Sequence, residues 1–134
     1  METMKAEYTG NLQIKLTHLS AGTVIYSNAP VDNGGLGTSF SPTDLVASSM
    51  GACILTIIGL AAKSHNFSID GASVIIKKVI GTNPRRISEI GLTFDFSSVQ
   101  PGQKEKKIIE YAIANCPVAQ SLHPDIKRRI IINY

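Results

Sequence analysis

The sequence predicts an α+β protein in which mostly antiparallel strand layers wrap around one long, buried central helix. Three observations support this fold class. Apolar and polar residues alternate with period two in blocks near both ends of the chain, as they do in half-buried strands. A long uncharged apolar run separates these blocks. Blocks of strands separated by helices, instead of a strict strand–helix alternation, are typical of the α+β class.

The composition indicates one globular domain. A chain of 134 residues, 43% of them hydrophobic and 17% charged, is long enough to enclose a core, and we expect a single domain over residues 1–134. The net charge of +3 is carried by scattered basic residues, which argues against nucleic acid as a partner. The start of the chain lacks the apolar segment of a signal peptide. We therefore expect a cytoplasmic protein whose two cysteines are kept reduced.

The first predicted element is a meander of two or three strands over residues 6–27. Leu12, Ile14 and Leu16 alternate with polar neighbours, and the stretch "LSAGT" behind them contains turn formers. Residues 28–40, "NAPVDNGGLGTSF", form a loop that is long for a compact domain. Loops of this length often have a function of their own, or lie against a partner.

A long helix follows, and its start carries a clear signature. Ser41 suits the N-cap, Pro42 suits the first helical position, and Asp44 stands three residues after the cap, as in a capping box. We predict a helix from here to about Lys63, with apolar residues on every side, which indicates burial all round. Residues 45–62 carry no charge and reach the lower length limit of a membrane span. Their serines, threonine and glycines favour the core helix of a soluble protein, and we expect no membrane partner.

The second half of the chain contains further strands and helices. Period-two stretches predict strands over residues 67–80 and 87–96, separated by the turn "GTNPRR". A charged opening followed by apolar residues predicts a helix over residues 103–114. A proline can open a short third helix over residues 117–122, and residues 129–133, "RIIIN", predict a last strand.

The two cysteines are the candidates for chemistry. Cys53 lies in the apolar run of the long helix, where a free cysteine is commonly an inert core residue and less often a shielded nucleophile. Cys116 stands directly before a predicted helix start, whose backbone N–H groups can stabilise a thiolate. The chain has no CxxC motif and no Cys/His cluster with metal-ligand spacing. We therefore expect neither a metal site nor a bound cofactor.

Two segments together resemble a known family. The stretches "GGLGTSFSPTDLVASSMGAC" and "NCPVAQSLHPDI" are similar to motifs of the OsmC/Ohr family of thiol-dependent hydroperoxide reductases, and the order of elements fits this family over nearly the whole chain. The S-P-x-D-L start of the long helix resembles the divergent, less characterised branch of the family. The resemblance implies an intertwined homodimer in which two strand layers wrap two long central helices.

The resemblance also implies a mechanism. Cys53 would be the peroxidatic thiol, which attacks a peroxide and becomes a sulfenic acid, and Cys116 would be the resolving thiol, which converts the sulfenic acid to a disulfide. An external dithiol would then reduce the disulfide. The apolar surroundings of Cys53 would favour organic hydroperoxides over hydrogen peroxide.

The sequence departs from the best-characterised enzymes of this family at two places. Those enzymes have a glutamate directly after the proline of the helix start, where this chain has Thr43. Asp44 is displaced from that position by one helical step of about 100°, and we keep both residues as supporting candidates. Those enzymes also use an arginine of the N-terminal strands, whereas the first arginine here is Arg85. Lys63, His65 or a group of the partner chain are the substitutes that we consider.

From the sequence we infer a thiol-dependent peroxidase that acts on organic hydroperoxides. Two alternatives stay open: a non-catalytic binder of small apolar ligands with the same fold, and a different chemistry on Cys53, such as acyl transfer or sulfur carriage. The positions of the two sulfur atoms discriminate between them, because a direct disulfide requires Cα atoms within about 7 Å of each other. Adjacent sulfur atoms would favour the peroxidase.

Overall fold

The computed structural model of the protein describes residues 2–134. The described residues form six strands and three α-helices, which confirms the predicted α+β class. Contacts along the chain group it into two compact units, one ending at Val46 and one running from Ala47 to Tyr134. The expectation of a single domain over the whole chain stays a prediction.

The first unit contains the predicted meander, which has three strands. Its strands form one antiparallel sheet and follow each other in the order of the chain: β1 (Met4–Gly10), β2 (Gln13–His18) and β3 (Val24–Asn28). The register places Leu16 opposite Ala6 on one side and opposite Ile25 on the other. A short 3-10 helix, Val31–Asn33, interrupts the loop that follows.

The apolar residues of this first unit are not enclosed. Among its described residues only Ser27, Asn28 and Ser41 are buried, and all three are polar. The exposed large apolar side chains include Met4, Tyr8, Leu12, Leu19, Val24, Ile25, Tyr26, Val31, Leu36 and Phe40. A small sheet needs an apolar cover for stability, so we expect another molecule to cover a surface of this kind.

Helix α1 (Pro42–Ser64) is the long helix that the sequence predicted. The Ser41 Oγ accepts a hydrogen bond from the Asp44 N–H over 3.1 Å, and the Asp44 carboxylate accepts one from the Ser41 N–H over 2.9 Å. These two bonds form the expected capping box. The helix is long and apolar enough to cross a membrane by length and composition alone, and the same properties suit the core helix that it forms here.

Helix α1 is buried on one face only, whereas the sequence predicted burial on every side. Its buried residues recur at helical spacing: Ala47, Met50, Gly51, Ile54, Ile58 and Ala62. The opposite face is exposed and carries mainly small or polar side chains such as Ser49, Ala52 and Thr56. Leu60 is an apolar exception on this face and is 62% exposed. The prediction was wrong for the single chain because composition does not say which molecule covers a given face.

The second unit contains a three-stranded sheet with the order β4-β5-β6. The first pair is antiparallel and the second pair is parallel, so the prediction of mostly antiparallel strands is confirmed with one parallel edge. The remaining elements are β4 (Ser73–Gly81), β5 (Arg86–Asp95), α2 (Gln103–Ile113), α3 (Pro117–Ser121) and β6 (Lys127–Asn133).

The stretch before β4 is a loop, although the sequence predicted a strand from Phe67. Asn66 and Gly71 have positive φ angles of 61° and 88°, and the Ala72 N–H donates to the Ile69 carbonyl over 2.9 Å. These features form turns. The apolar residues of this stretch therefore reach the core from a loop and not from a strand.

The core of the second unit lies between α1 and the sheet. Ile90 and Phe94 of β5 are 0% exposed, and truncating a phenylalanine at such a site costs about 3–5 kcal/mol. Gly51 brings α1 close to the sheet, since a Cβ at this position would lie 2.8 Å from the Ile76 Cδ1. The helix is therefore fixed against the sheet two residues before Cys53.

Candidate functional site

Cys53 lies in the middle of α1, between its buried and its exposed face. Its side chain is partly exposed and packs against the core of the second unit. The helix sets this position, because Gly51 allows the close approach to the sheet and Ile54, the next residue after Cys53, is 0% exposed. Cys53 thus combines apolar surroundings with access to solvent.

Cys116 is held in the short connection between α2 and α3. The Asn115 N–H donates to the Ala112 carbonyl at the end of α2, and Pro117 then opens α3 with Cys116 as its N-cap. The Cys116 sulfur accepts a hydrogen bond from the Ala119 N–H over 3.3 Å. The side chain is only 1% exposed. The sequence predicted this helix start but not the burial of the thiol.

The surroundings of Cys116 favour its neutral thiol. Burial is the largest effect and raises the pKa of Cys116 above its ordinary value. The backbone N–H groups of Ala119 and Val118 act in the opposite direction but do not reverse the rise in pKa. The predicted contact with backbone N–H groups is therefore confirmed. These N–H groups favour the thiolate, as the sequence predicted, but desolvation of the buried sulfur outweighs them.

The two thiols are neighbours. Burial is the largest cause of the raised pKa of Cys116. The Cys53 thiol raises it further, through a hydrogen bond and through an electrostatic interaction. The Cys116 thiol also faces the carbonyl of Met50, one helical turn before Cys53, over 4.0 Å. No disulfide joins them in the structure. The fold thus brings together a partly exposed and a buried thiol that are distant in the sequence, which is an arrangement suited to thiol–disulfide chemistry.

Thr43 and Asp44 lie in the first turn of α1, within the first unit, where they take part in the start of the helix. The Ser41 Oγ lies 3.2 Å from the Thr43 Oγ1, and the Asp44 carboxylate accepts the Ser41 N–H. These contacts show a capping role for Asp44 and a contact to the cap for Thr43. A supporting role of either residue toward Cys53 stays a prediction.

Lys63 and His65 are too far along the chain to act on Cys53 of the same molecule. They follow Cys53 by ten and twelve residues, and ten residues of α-helix extend over about 15 Å. His65 Nδ1 lies 2.9 Å from the Ala61 carbonyl at the end of α1. Within one chain, Lys63 and His65 therefore do not replace the missing arginine beside Cys53, and this prediction was wrong. Activation by a group of a partner chain stays a prediction.

The sequence did not point to two residues that hold the cysteines in place. Gly51 sets the approach of α1 to the sheet, and Arg128 of β6 donates a hydrogen bond to the Ala119 carbonyl in α3. Gly51 had a recognisable signal, since a glycine inside a helix often has a packing reason. Arg128 had none, because nothing local in the sequence connects the last strand with α3.

The described side chains offer thiol chemistry and no evident metal centre. Residues 2–134 contain no group of three or more His, Cys, Asp or Glu side chains that could hold a metal ion. Two cysteines alone supply half of the four ligands that a structural zinc site uses.

Solved structures share this fold over nearly the whole length of the chain. A protein from Psychrobacter arcticus 273-4, described as osmotic stress induced and as a detoxification response protein, is 41% identical and superimposes with a TM-score of 0.94, covering 99% of this chain and 96% of that chain. An OsmC like protein from Mycoplasma pneumoniae is 18% identical, with a TM-score of 0.76 and coverage of 97% and 94%. The organic hydroperoxide resistance protein OsmC from Legionella pneumophila is 18% identical, with a TM-score of 0.72 and coverage of 98% and 95%.

The two more distant structures show the fold alone, whereas the Psychrobacter arcticus protein and the family model also show the family. No curated protein matches the sequence. The family model described as OsmC-like protein matches residues 35–130, which is more than half of the chain and includes both cysteines. The resemblance found in the sequence is therefore confirmed, and the chain belongs to the OsmC-like protein family.

Proposed function

We propose that the protein reduces organic hydroperoxides with a pair of thiols, Cys53 as the peroxidatic residue and Cys116 as the resolving residue. The observation that supports this most is the juxtaposition of a partly exposed thiol and a buried thiol. The Legionella pneumophila protein of the same fold is described as an organic hydroperoxide resistance protein, which agrees with this substrate class.

In the first step, the Cys53 sulfur attacks the terminal oxygen of the hydroperoxide as a thiolate. An S–O bond forms, the O–O bond breaks, and the alcohol leaves with a proton. The peroxide is reduced and Cys53 is oxidised to a sulfenic acid. Cys53 is assigned this step because its side chain is partly exposed, whereas Cys116 is 1% exposed.

In the second step, the Cys116 sulfur attacks the sulfur of the Cys53 sulfenic acid. An S–S bond forms, the S–O bond breaks, and the oxygen leaves as water. An external dithiol then reduces the disulfide by exchange and is itself oxidised. Burial and the raised pKa of Cys116 keep this thiol protonated and shielded at neutral pH, so it reacts with its neighbour and not with free peroxide.

The apolar surroundings of Cys53 support an organic substrate. Cys53 packs against the core, and Met50 and Ile57 lie one helical turn away on either side of it. Each CH₂ group of a substrate that is buried on such a surface gains about 0.8 kcal/mol. Hydrogen peroxide has no such group, so we expect it to be the poorer substrate.

We also propose that the protein works as a homodimer in the cytoplasm. The first unit encloses no apolar residue among those described and exposes a large apolar surface, and α1 exposes Leu60 on its uncovered face. A second copy offers a matching apolar surface, and a two-fold pair is the commonest way in which such surfaces close. The reducing cytoplasm would supply the external dithiol.

The test is peroxide consumption by the purified protein in the presence of a dithiol. We expect wild-type protein to turn over cumene hydroperoxide, and Cys53→Ser to lose at least about a hundredfold in rate. Cys116→Ser should still consume peroxide in its first turnover but recycle slowly, because it cannot form the internal disulfide. Equal turnover by wild type and Cys53→Ser would refute the proposal and favour the non-catalytic binder of apolar ligands.

A further inference from the structure

A series of contacts connects β6 with the sulfur of Cys116. The Arg128 guanidinium donates a hydrogen bond to the Ala119 carbonyl, and the Ala119 N–H donates one to the Cys116 sulfur over 3.3 Å. The Cys116 thiol in turn faces the Met50 carbonyl of α1 over 4.0 Å. Arg128 therefore holds Ala119, and Ala119 binds the Cys116 sulfur. In the resolving step this sulfur must reach the Cys53 sulfur.

Helix α3 depends on contacts with the rest of the protein, such as the hydrogen bond from Arg128. It has five residues, and helices of this length do not persist on their own. A guanidinium at its carbonyl end is favourable both as a charge facing the helix dipole and as a charge-assisted hydrogen-bond donor. Ala119, which receives this bond, is 7% exposed, so the bond acts on the packed side of the helix.

Strand β6 holds Arg128 in a fixed position relative to the core. Arg128 pairs with Ile90 in the parallel ladder, and Ile90 is 0% exposed. The next residue, Arg129, points to the opposite face of the sheet, because successive side chains of a strand alternate. There it forms an ion pair with Glu89. Arg128 thus contacts α3, whereas Arg129 lies on the opposite face of the sheet.

We propose that Arg128 is a positioning residue for the resolving step, which holds α3 so that the Cys116 sulfur is presented to the Cys53 sulfur. The proposal deepens the proposed function and rests on it. Arg128 touches neither the peroxide nor the sulfur atoms, so its loss leaves the oxidation of Cys53 unchanged. It slows the step in which the S–S bond forms, the S–O bond of the sulfenic acid breaks and water leaves. A sulfenic acid that is resolved slowly meets a second peroxide and becomes a sulfinic acid.

The experiment compares Arg128→Ala and Arg128→Lys with wild type, with Arg129→Ala as the matched control on the other face of the same strand. Reduced protein is mixed with cumene hydroperoxide, and two rates are measured separately: peroxide consumption in the first turnover and formation of the Cys53–Cys116 disulfide. We expect Arg128→Ala to slow disulfide formation at least about tenfold, to keep the first-turnover rate and to accumulate sulfinic acid. Arg128→Lys should recover most of the rate, and Arg129→Ala should behave like wild type.

A second arm uses diamide, which oxidises two neighbouring thiols to a disulfide and is itself reduced to a hydrazine. This arm needs no peroxidase activity. If wild type consumes no peroxide but Arg128→Ala still slows disulfide formation by diamide, the proposed function fails and the positioning role of Arg128 stands. Wild-type rates of disulfide formation in Arg128→Ala would overturn the proposal. An equal loss of both rates with peroxide, or no recovery in Arg128→Lys, would show a merely structural role and overturn it too.

Discussion

Among single residues, the two cysteines differ mainly in burial. Cys53 is partly exposed, whereas Cys116 is 1% exposed. The motifs around them predicted both as site residues, which stays a prediction, and the structure places the two thiols next to each other. The burial of Cys116 could not be predicted, because the residues that cover it come from distant parts of the chain. Arg128 was missed for the same reason, since its partner Ala119 belongs to another element.

The buried Cys116 thiol makes the free energy of unfolding depend on pH in the alkaline range. Its pKa is raised in the folded protein, mainly by burial. The stability that comes from the neutral buried thiol is fully present below the pKa of the unfolded chain and is lost as the pH rises through the folded pKa. We expect the free energy of unfolding, measured by urea titration, to fall more steeply above about pH 8.5 in wild type than in Cys116→Ala.

Tyr134 titrates in an overlapping range and does not disturb this comparison. Burial, and then its hydrogen bond to Glu110, raise the pKa of Tyr134 to about 12. Cys116→Ala leaves the contact between Tyr134 and Glu110 in place, so Tyr134 lowers the free energy of unfolding of both proteins equally at high pH. The difference between the two proteins therefore reports on the Cys116 thiol alone. Parallel curves of stability against pH would contradict the burial of the Cys116 thiol.

Among the elements, those with a strong local pattern were predicted well. Helix α1 was expected to end at about Lys63 and ends at Ser64, because its cap and its apolar run are both local features. The parallel pairing of β5 and β6 was not predicted, since it depends on the path of the chain through α2 and α3. The one-sided burial of α1 was not predicted either, because it depends on what surrounds the helix.

The close approach of α1 to the sheet predicts the effect of Gly51→Ala. Alanine gains about 1 kcal/mol over glycine in a helix. The new Cβ would lie 2.8 Å from the Ile76 Cδ1 and 3.2 Å from the Val74 Cγ1, and overpacking of this kind costs about 1–3 kcal/mol. We expect a net loss of about 1 kcal/mol in the free energy of unfolding, measured by urea titration.

A second substitution checks the cause of this loss. Ile76→Val removes the Cδ1 atom that the new Cβ would meet, and costs about 1 kcal/mol by itself. In the Ile76→Val background, Gly51→Ala should cost less than in wild type, because the contact with the Cδ1 is gone while the contact with the Cγ1, at 3.0 Å, remains. Losses that simply add in the double variant would show that the two residues are not coupled, and would contradict the close approach.

For the whole molecule, the two motifs that suggested the family lie almost entirely within the residues that the family model matches, 35–130. The meander before them lies outside that range and was predicted from its period-two pattern alone. Its three strands are present. What no pattern within the sequence identifies is what covers the exposed apolar surface of this meander.

The proposed homodimer predicts a defined response to charge on the exposed face of α1. Leu60 is 62% exposed in the single chain, and we expect it to be buried between two copies. Wild type should sediment at twice the mass of the chain, and Leu60→Asp should shift it toward the monomer, because an unpaired charge in an apolar interface costs several kcal/mol. Tyr111→Asp is the control, since Tyr111 is 77% exposed on α2. A monomeric wild type, or equal behaviour of both variants, would rule out this interface.

The pairing of Cys53 with Cys116 is tested most directly by mass spectrometry of reduced protein after one equivalent of cumene hydroperoxide. We expect the protein to lose the mass of two hydrogen atoms and to yield a disulfide-linked peptide pair that contains both cysteines. Cys53→Ser and Cys116→Ser should yield no such pair. Wild-type protein that retains two free thiols while the peroxide remains unconsumed would contradict the assignment of these two residues as the reactive site.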